Sequence, residues 1–541
     1  MFMTSKIYDN LEMSYIFDRL NVYTPYGTEC KKNMKSFLRE EAQKLLNEYE
    51  LIEKAVNLIK KNRYAFVDMR NMFKHIKDLR GSFKRISDNQ VLSTVELYEI
   101  KSFVFFLKDI STLLEKIKWN MPKELVITSM PQIEKLLDPQ NSGVNTFYVY
   151  DSYSKSLAKV RDEIKSIESE IYRQNKIIRE EVQKDLGIKI RPNGEVSINK
   201  NDMDLLGKVD RCPNLTYSSE TYMNITYKVK IDSDKEQDLK KINDLKLLEE
   251  EEEFNVRKRL SMEIKKYLDI FYDNISAIGK IDLLIAKGYL AIGTNSVKPE
   301  IAPDERLYIK NGRHIKVADT LRKQEKEFTP ISVDLKRGVT CITGANMGGK
   351  TISLKLVGVL CAMAQYGLFV PADTMIFSMK DYIFFSLGDL QSTDKGLSTF
   401  GAEILEVKNI IDRSNENGLL LIDELARGTN PQEGFAISKA LIDYMKDKES
   451  ITIITSHFDG LTKDSDVYHL QVKGLVGVDM KKLKTEIENS TNVGIEIVHK
   501  YMDYRLIEVN NEEKVPRDAI NIARLMGLQE HLIKEAEKYL T

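Results

Sequence analysis

The segment that most constrains this chain is Gly344-Ala345-Asn346-Met347-Gly348-Gly349-Lys350-Thr351. It follows the β-like run Val339-Thr340-Cys341-Ile342-Thr343 and opens a helical stretch, Ile352–Met363. Strand, glycine-rich loop and helix in that order are the setting of a phosphate-binding loop. The glycines let backbone N–H groups turn inward around phosphate oxygens, and the helix N-terminus adds a favourable dipole. Lys350 supplies a point charge for β- and γ-phosphates, and the Thr351 hydroxyl suits Mg2+. Glycines and β-branched runs enter near Pro299, and strands then alternate with helices, so an α/β domain is expected from about residue 300.

Two further apolar runs end in functional residue types. Gly418-Leu419-Leu420-Leu421-Ile422 leads into Asp423-Glu424. A buried strand ending in two acids suits Asp423 as the Mg2+-holding group and Glu424 as the residue that orients or deprotonates an attacking water. Ile451-Thr452-Ile453-Ile454-Thr455-Ser456 leads into His457. A lone histidine is more often structural, but its place one strand–helix unit further on fits a γ-phosphate sensor. This order resembles that of ABC-type ATPases, which close two nucleotide sites between two subunits. Ser398-Thr399, within Gly396-Leu397-Ser398-Thr399-Phe400-Gly401, is the candidate loop offered to a partner's γ-phosphate. Phe328, before Pro330, is either a base-stacking residue or an ordinary core aromatic.

The N-terminal half has a different texture. With only 12 prolines in 541 residues, long stretches read as helix. Leu51, Ile52, Ala55, Leu58 and Ile59 make one apolar stripe; Phe103, Phe106, Leu107, Ile110 and Leu114 make another. Leu157, Val160, Ile164, Ile167 and Ile171 alternate three and four apart, a heptad seam. A second helical run carries Val256, Leu260, Ile264, Tyr267 and Phe271. Between them Ile188 and Ile190, then Val196 and Ile198, flank Asn193-Gly194 and predict a hairpin there. Ile225, Tyr227, Val229 and Ile231 alternate with polar residues as a further strand. The chain is thus expected to send out a helical arm with a small β-tip. The run Glu249–Glu253 on the returning helix reads as a solvated face.

Lys and Arg total 81 against 82 Asp and Glu, so the balance of -1 gives no global pull toward nucleic acid. Any such site must be local, and Lys189, Arg191, Lys200, Lys228 and Lys230 on the β-tip are the candidates. The four cysteines form no CxxC pair, so neither a disulfide framework nor a zinc knuckle is expected. Without a signal core or a membrane-length apolar stretch, a cytoplasmic protein is expected.

Taken together, Thr343–Thr351, Leu397-Ser398-Thr399-Phe400, Asp423-Glu424-Leu425-Ala426-Arg427-Gly428-Thr429 and Thr455-Ser456-His457-Phe458 resemble the MutS family. Arg313-His314 looks like that family's approach to its ATPase domain, and Ala519–Leu528 resembles its dimerising helix-turn-helix. Leu20–Gly27 and Ile281–Ala286 look like parts of its lever. The resemblance implies a mixed fold: an all-α lever domain (1–154), a coiled-coil clamp arm with a small antiparallel β-sheet at its tip (155–265), and lever return helices (266–300). An ABC-type P-loop ATPase domain (301–485) and a C-terminal dimerisation element (486–541) follow. It further implies ATP and Mg2+ as cofactors, a homodimer, and closure of the arms around DNA. The sequence opens at the lever and ends past the dimerisation helices, so mismatch-reading, connector and nuclease modules have no counterpart in it, and mismatch reading is not expected. The same features admit a second reading, an ATP-driven factor that remodels another protein, such as a cobalamin-dependent aminomutase.

Overall fold

A computed structural model describes residues 2–230, 233–344, 349–386, 399–426, 429–458, 460–463, 465–475, 478–479, 483, 501–509, 520, 523–524 and 528–539. The chain divides into two compact units. One comprises Ile76–Glu115 and Val126–Ile275; the other comprises Met1–His75, Lys116–Leu125 and Ser276–Thr541.

The first unit is built on long helices, which run where the sequence has neither proline nor glycine, as over 144–186 and 214–275. Thr94–Lys116 buries Leu97, Ile100, Phe103, Leu107, Ile110 and Leu114 along one face. Lys155–Leu186 starts at Ser154, whose Oγ accepts from Leu157 N, and stops at Gly187 in the left-handed region. Its partner is Ser233–Lys265. Leu157 and Ile164 of the heptad positions are buried, while Val160, Ile167 and Ile171 are half-buried.

Between these helices lie β1 (Glu195–Asn199), β2 (Leu215–Glu220) and β3 (Asn224–Val229). They form one antiparallel sheet in the order β1-β3-β2. The expected hairpin across Asn193-Gly194 closes only at its turn, and Ile188–Ile190 form no strand. Val196 and Ile198 instead pair with Tyr227 and Ile225, far along the chain. The turn itself exists, with Gly194 N donating to Arg191 O at 2.9 Å. Arg191 N donates to Glu195 O, at the start of β1, at 3.0 Å, while Ile190 N donates to the Gln183 side chain at 2.9 Å, so the chain leaves the strand for the helix one residue before the turn. Its isoleucines serve the same small core as Val182, Val196, Val209 and Tyr227.

The glutamate run also departs from the expected solvated face. Arg161 donates to Glu249 at 2.7 Å and to Glu253 at 2.5 Å, and it bonds Asp151 and Val149 O as well. Two of the five glutamates therefore hold one arginine in place between the two long helices.

The second unit contains the α/β layer. β4 (Glu300–Ile301), β5 (Arg306–Gly312), β6 (Ile331–Lys336) and β8 (Thr374–Phe377) form a four-stranded sheet in the order β4-β8-β5-β6. β7 (Gly338–Thr343), β9 (Tyr382–Ser386), β10 (Gly418–Ile422), β11 (Ile451–Thr455), β12 (Tyr468–Gly474) and β13 (Asp503–Glu508) form a six-stranded one. Its order is β13-β12-β7-β11-β10-β9, parallel except for β12 with β13. β7, β10 and β11 are buried at every position, which explains their unbroken apolar runs.

The helix Lys350–Gln365 lies in the core of this unit, and Leu11, in the N-terminal stretch, touches it: a Cβ on Gly358 would lie 2.6 Å from Leu11 and from Leu421. Phe2 O accepts from Ile383 N at 2.8 Å, so the N-terminal stretch adds to the edge strand β9. Glu12 faces Lys316 and Lys355 at 3.3 and 3.4 Å. The two stretches that resemble a lever meet within this unit. Asp282 accepts from Tyr23 N, Thr24 N and Thr24 Oγ1 at 2.9, 2.7 and 2.8 Å, which fixes the start of the helix Pro25–Lys32. Among the described residues no helix is long and apolar enough to cross a membrane.

Candidate functional site

The parallel strands β7, β10 and β11 end side by side, and the polar residues of the sheet gather at those ends. β7 delivers Thr343 and Gly344. The latter has φ +133°, and Gly349, before the helix, has φ +82°. Both values belong to conformations that side chains rarely adopt, so this turn depends on glycine. Ala345, Asn346, Met347 and Gly348 lie outside the described residues, as do Ser398, the side chain of Thr399, Arg427, Gly428 and most of Ala519–Leu528.

Lys350 and Thr351 open the helix Lys350–Gln365. The Lys350 side chain is 3% exposed; its Nζ donates to Gly344 O at 2.7 Å and lies 3.5 Å from Glu424 Oε1. Thr351 Oγ1 donates to Asp423 Oδ2 at 2.7 Å, and Thr455 Oγ1 donates to Asp423 Oδ1 at 2.6 Å. Glu424 N donates to Thr455 Oγ1 at 3.0 Å. One hydroxyl from the strand next door therefore holds both the Asp423 carboxylate and the Glu424 backbone. Glu424 and Ala426 take φ +49° and +59°. Left-handed backbone at a non-glycine residue costs on the order of 1–3 kcal/mol and is held by its surroundings. Here it turns the chain sharply after β10 and brings the Glu424 carboxylate back toward Lys350.

Lys350, Thr351, Asp423 and Glu424 lie within one cluster of hydrogen bonds and close charges. His457 lies at the end of β11, exposed, with its ring 4.5 Å from that of Phe458. Phe328, three residues before β6, is half-buried.

Three residues of the site escape motif reading. Thr455 reads only as part of a motif, yet its hydroxyl is the fixed point for the Asp423 carboxylate and the Glu424 backbone. His469 on β12 is buried, and its Nε2 shares a 2.8 Å hydrogen bond with Thr343 Oγ1 while Nδ1 meets Thr462 Oγ1 at 3.3 Å. It ties the end of β7 to the turn beyond β11. Tyr504, near the start of β13, covers the phosphate-loop glycine: a Cβ on Gly349 would lie 3.1 Å from its ring. β13 also packs beside β6, the strand that follows Phe328. Burial raises the Tyr504 phenol above its ordinary range. No local pattern marks Tyr504; only the strand order places it here.

The donor set fits a magnesium–triphosphate. Magnesium usually takes one or two protein oxygens and completes its shell with water and phosphate, and the Thr351 hydroxyl beside the Asp423 carboxylate is such a pair. A buried ammonium at a helix N-terminus, behind glycines with left-handed backbone, suits a polyanion. The amide Nε2 of Gln471, in register with Thr343, is buried without a partner, leaving unused donor capacity beside the loop.

Comparison with known proteins points the same way. A family model described as MutS domain V matches residues 340–541. The chain is 26% identical over 528 residues to an Endonuclease MutS2 of Caldanaerobacter subterraneus subsp. tengcongensis, covering 95% of this chain and 60% of that protein. It is 28% identical over 410 residues to an Endonuclease MutS2 of Halothermothrix orenii, covering 71% and 49%. It is 31% identical over 292 residues to a DNA mismatch repair protein MutS of Aquifex pyrophilus, covering 53% and 32%. The chain therefore spans 60% or less of the length of these three relatives.

Proposed function

Because this chain belongs to the MutS family, we propose that it hydrolyses ATP at the C-terminal ends of β7, β10 and β11 and uses the cycle to clamp DNA as a homodimer. The observation that carries this reading is the cluster of buried Lys350, the Thr351–Asp423 pair and the back-turned Glu424.

In this reading Lys350 exchanges its bond to Gly344 O for β- and γ-phosphate oxygens. Thr351 and Asp423 hold Mg2+, which when bound neutralises phosphate charge and orients the triphosphate. Glu424 accepts a proton from the attacking water. The water oxygen bonds the γ-phosphorus as the bond to the β–γ bridging oxygen breaks, leaving ADP and phosphate. His457 senses the γ-phosphate, and Ser398 and Thr399 are offered to the partner subunit's nucleotide. Phe328 and Tyr504 flank the base. The lever (1–154), arm (155–265), return helices (266–300), ATPase domain (301–485) and dimerisation element (486–541) are the proposed divisions, and the cytoplasm the proposed compartment.

DNA is favoured over a protein client because the relatives' names, an endonuclease and a DNA mismatch repair protein, both refer to work on nucleic acid. The test is ATP turnover with and without duplex and junction DNA. Stimulation by DNA supports the reading. Turnover that ignores DNA but responds to a client enzyme transfers it to protein remodelling.

A further inference from the structure

The hairpin of β2 and β3 ends in a two-residue apex. Thr221 N donates to Asn224 O at 2.7 Å and Asn224 N donates to Thr221 Oγ1 at 3.1 Å. Lys200 N, at the end of β1, donates to Met223 O at 2.9 Å. The apex residues are Tyr222, 94% exposed, and Met223, 53% exposed. Tight hairpin turns normally hold glycine, asparagine or aspartate, which serve positive φ or local hydrogen bonds. Neither apex residue takes positive φ. The backbone asks nothing of these two side chains, and the small core of this sheet closes without them. A tyrosine and a methionine held out in water on a pinned turn have no structural task there.

Their surroundings indicate what they meet. Residues 187–230 carry seven lysines and arginines against five aspartates and glutamates, in a chain whose overall charge is -1. Lys200 and Lys228 are partly satisfied by Glu220 and Glu195, at 3.2 and 3.7 Å. Lys189, Arg191 and Lys230 are exposed, outside the ion pairs found among the described residues. The outward sheet face presents Ser197, Asn199, Asn224 and Thr226, with Ser197 and Thr226 hydroxyls 3.3 Å apart. Hydroxyls, amides and lysines suit phosphate oxygens. A flat ring and a thioether at the apex suit a base step.

We infer that Tyr222 and Met223 form a wedge that enters nucleic acid where bases are unpaired or unstacked, while the adjoining lysine-bearing face holds the backbone. This rests on the proposed action on DNA and specifies its target as branched or distorted DNA. A continuous duplex must be opened before the wedge enters, so the wedge selects sites already open.

The experiment uses the full chain with a three-way junction and a fully paired duplex of equal length, each carrying 2-aminopurine. The unaltered protein should prefer the junction and change the 2-aminopurine emission. Tyr222→Ala should weaken junction binding about tenfold, to the duplex level, because one base–aromatic stack is lost. The salt dependence should stay as it was, because the phosphate contacts remain. Tyr222→Trp should keep the preference. ATP turnover without DNA should be unchanged in both variants. Equal binding by Tyr222→Ala and the unaltered protein overturns the wedge and leaves DNA clamping standing, as does an equal loss on both DNAs. Unchanged DNA binding with loss of a protein cross-link overturns it in favour of a protein partner. If the unaltered protein binds neither DNA at low salt, the proposed function falls first and the wedge with it.

Discussion

The two units are unusual in opposite ways. In the unit that carries the large sheet, a group of buried polar side chains gathers at one end of that sheet: Thr343, Lys350, Asp423, Thr455, Ser456 and His469. In the unit that carries the long helices, large apolar groups are exposed, most of all Tyr222 at the hairpin apex. Ordinary folding explains apolar residues inside and polar residues outside; the exceptions call for another cause. The contrast is sharpened by a buried polar group with no function to explain. Lys101, in the helical unit, is fully buried, with its Nζ bonded to Asp138 at 3.3 Å and Thr146 O at 2.9 Å. It fastens the loop after Leu137 to the helix Thr94–Lys116. Burial of charge marks a site only where glycine-shaped backbone and hard oxygen donors accompany it.

Lys101→Ala should therefore give the largest effect and an entirely structural one. It strands Asp138 in the interior and should cost about 4 kcal/mol of stability in denaturant unfolding. Nucleotide affinity in the folded fraction should stay unchanged; a selective loss of affinity would break the distinction between Lys101 and Lys350. Lys350→Ala should do the reverse. Turnover should fall about 100- to 1,000-fold, the usual loss for one preorganised phosphate-stabilising charge. DNA binding measured without nucleotide should persist.

His314 offers a third comparison, a buried histidine outside the site. Desolvation lowers its pKa to about 4, against the opposing pull of Glu12, with Lys316 and Lys355 adding to the lowering. The folded protein keeps the ring neutral where the unfolded chain protonates it. The stability it permits is complete above about pH 6.5 and is lost as pH falls toward 4, by up to roughly 3 kcal/mol. His314→Gln should flatten that part of the stability–pH curve, read by thermal unfolding. The smallest effect is expected from Tyr504→Ala. It should raise the KM for ATP about tenfold with little change in kcat, while leaving competition by inorganic tripolyphosphate untouched. An equal effect on tripolyphosphate would make Tyr504 a support for the loop and not a wall for the base.

Legibility in the sequence followed the range of the interaction. Gly344–Thr351, Asp423-Glu424 and the apolar strands before them are contiguous patterns, and the structure brings those of them it describes into one cluster. Helices were readable from their stripes, and the β insert from its alternation. What escaped depends on distant partners. Asn193-Gly194 announces a turn but cannot say that Val196 will pair with Tyr227. Glu249 and Glu253 look like any charged helix face until Arg161 is placed between the helices. Phe2 gives no local hint that its carbonyl will extend the edge strand β9, nor Tyr504 that strand order sets it over Gly349. Thr455 is visible as a residue but not as the hydroxyl that holds the Asp423 carboxylate and the Glu424 backbone at once.

The central claim is that the end of the large sheet binds Mg-ATP and that Glu424 acts only afterwards, on the water. Calorimetric titration of Mg-ATP into the full-length Glu424→Gln variant, alongside a turnover assay, tests it most directly. The account predicts saturable uptake of one nucleotide per chain with turnover reduced at least about a hundredfold. No saturable uptake, or turnover equal to that of the unaltered protein, would contradict it.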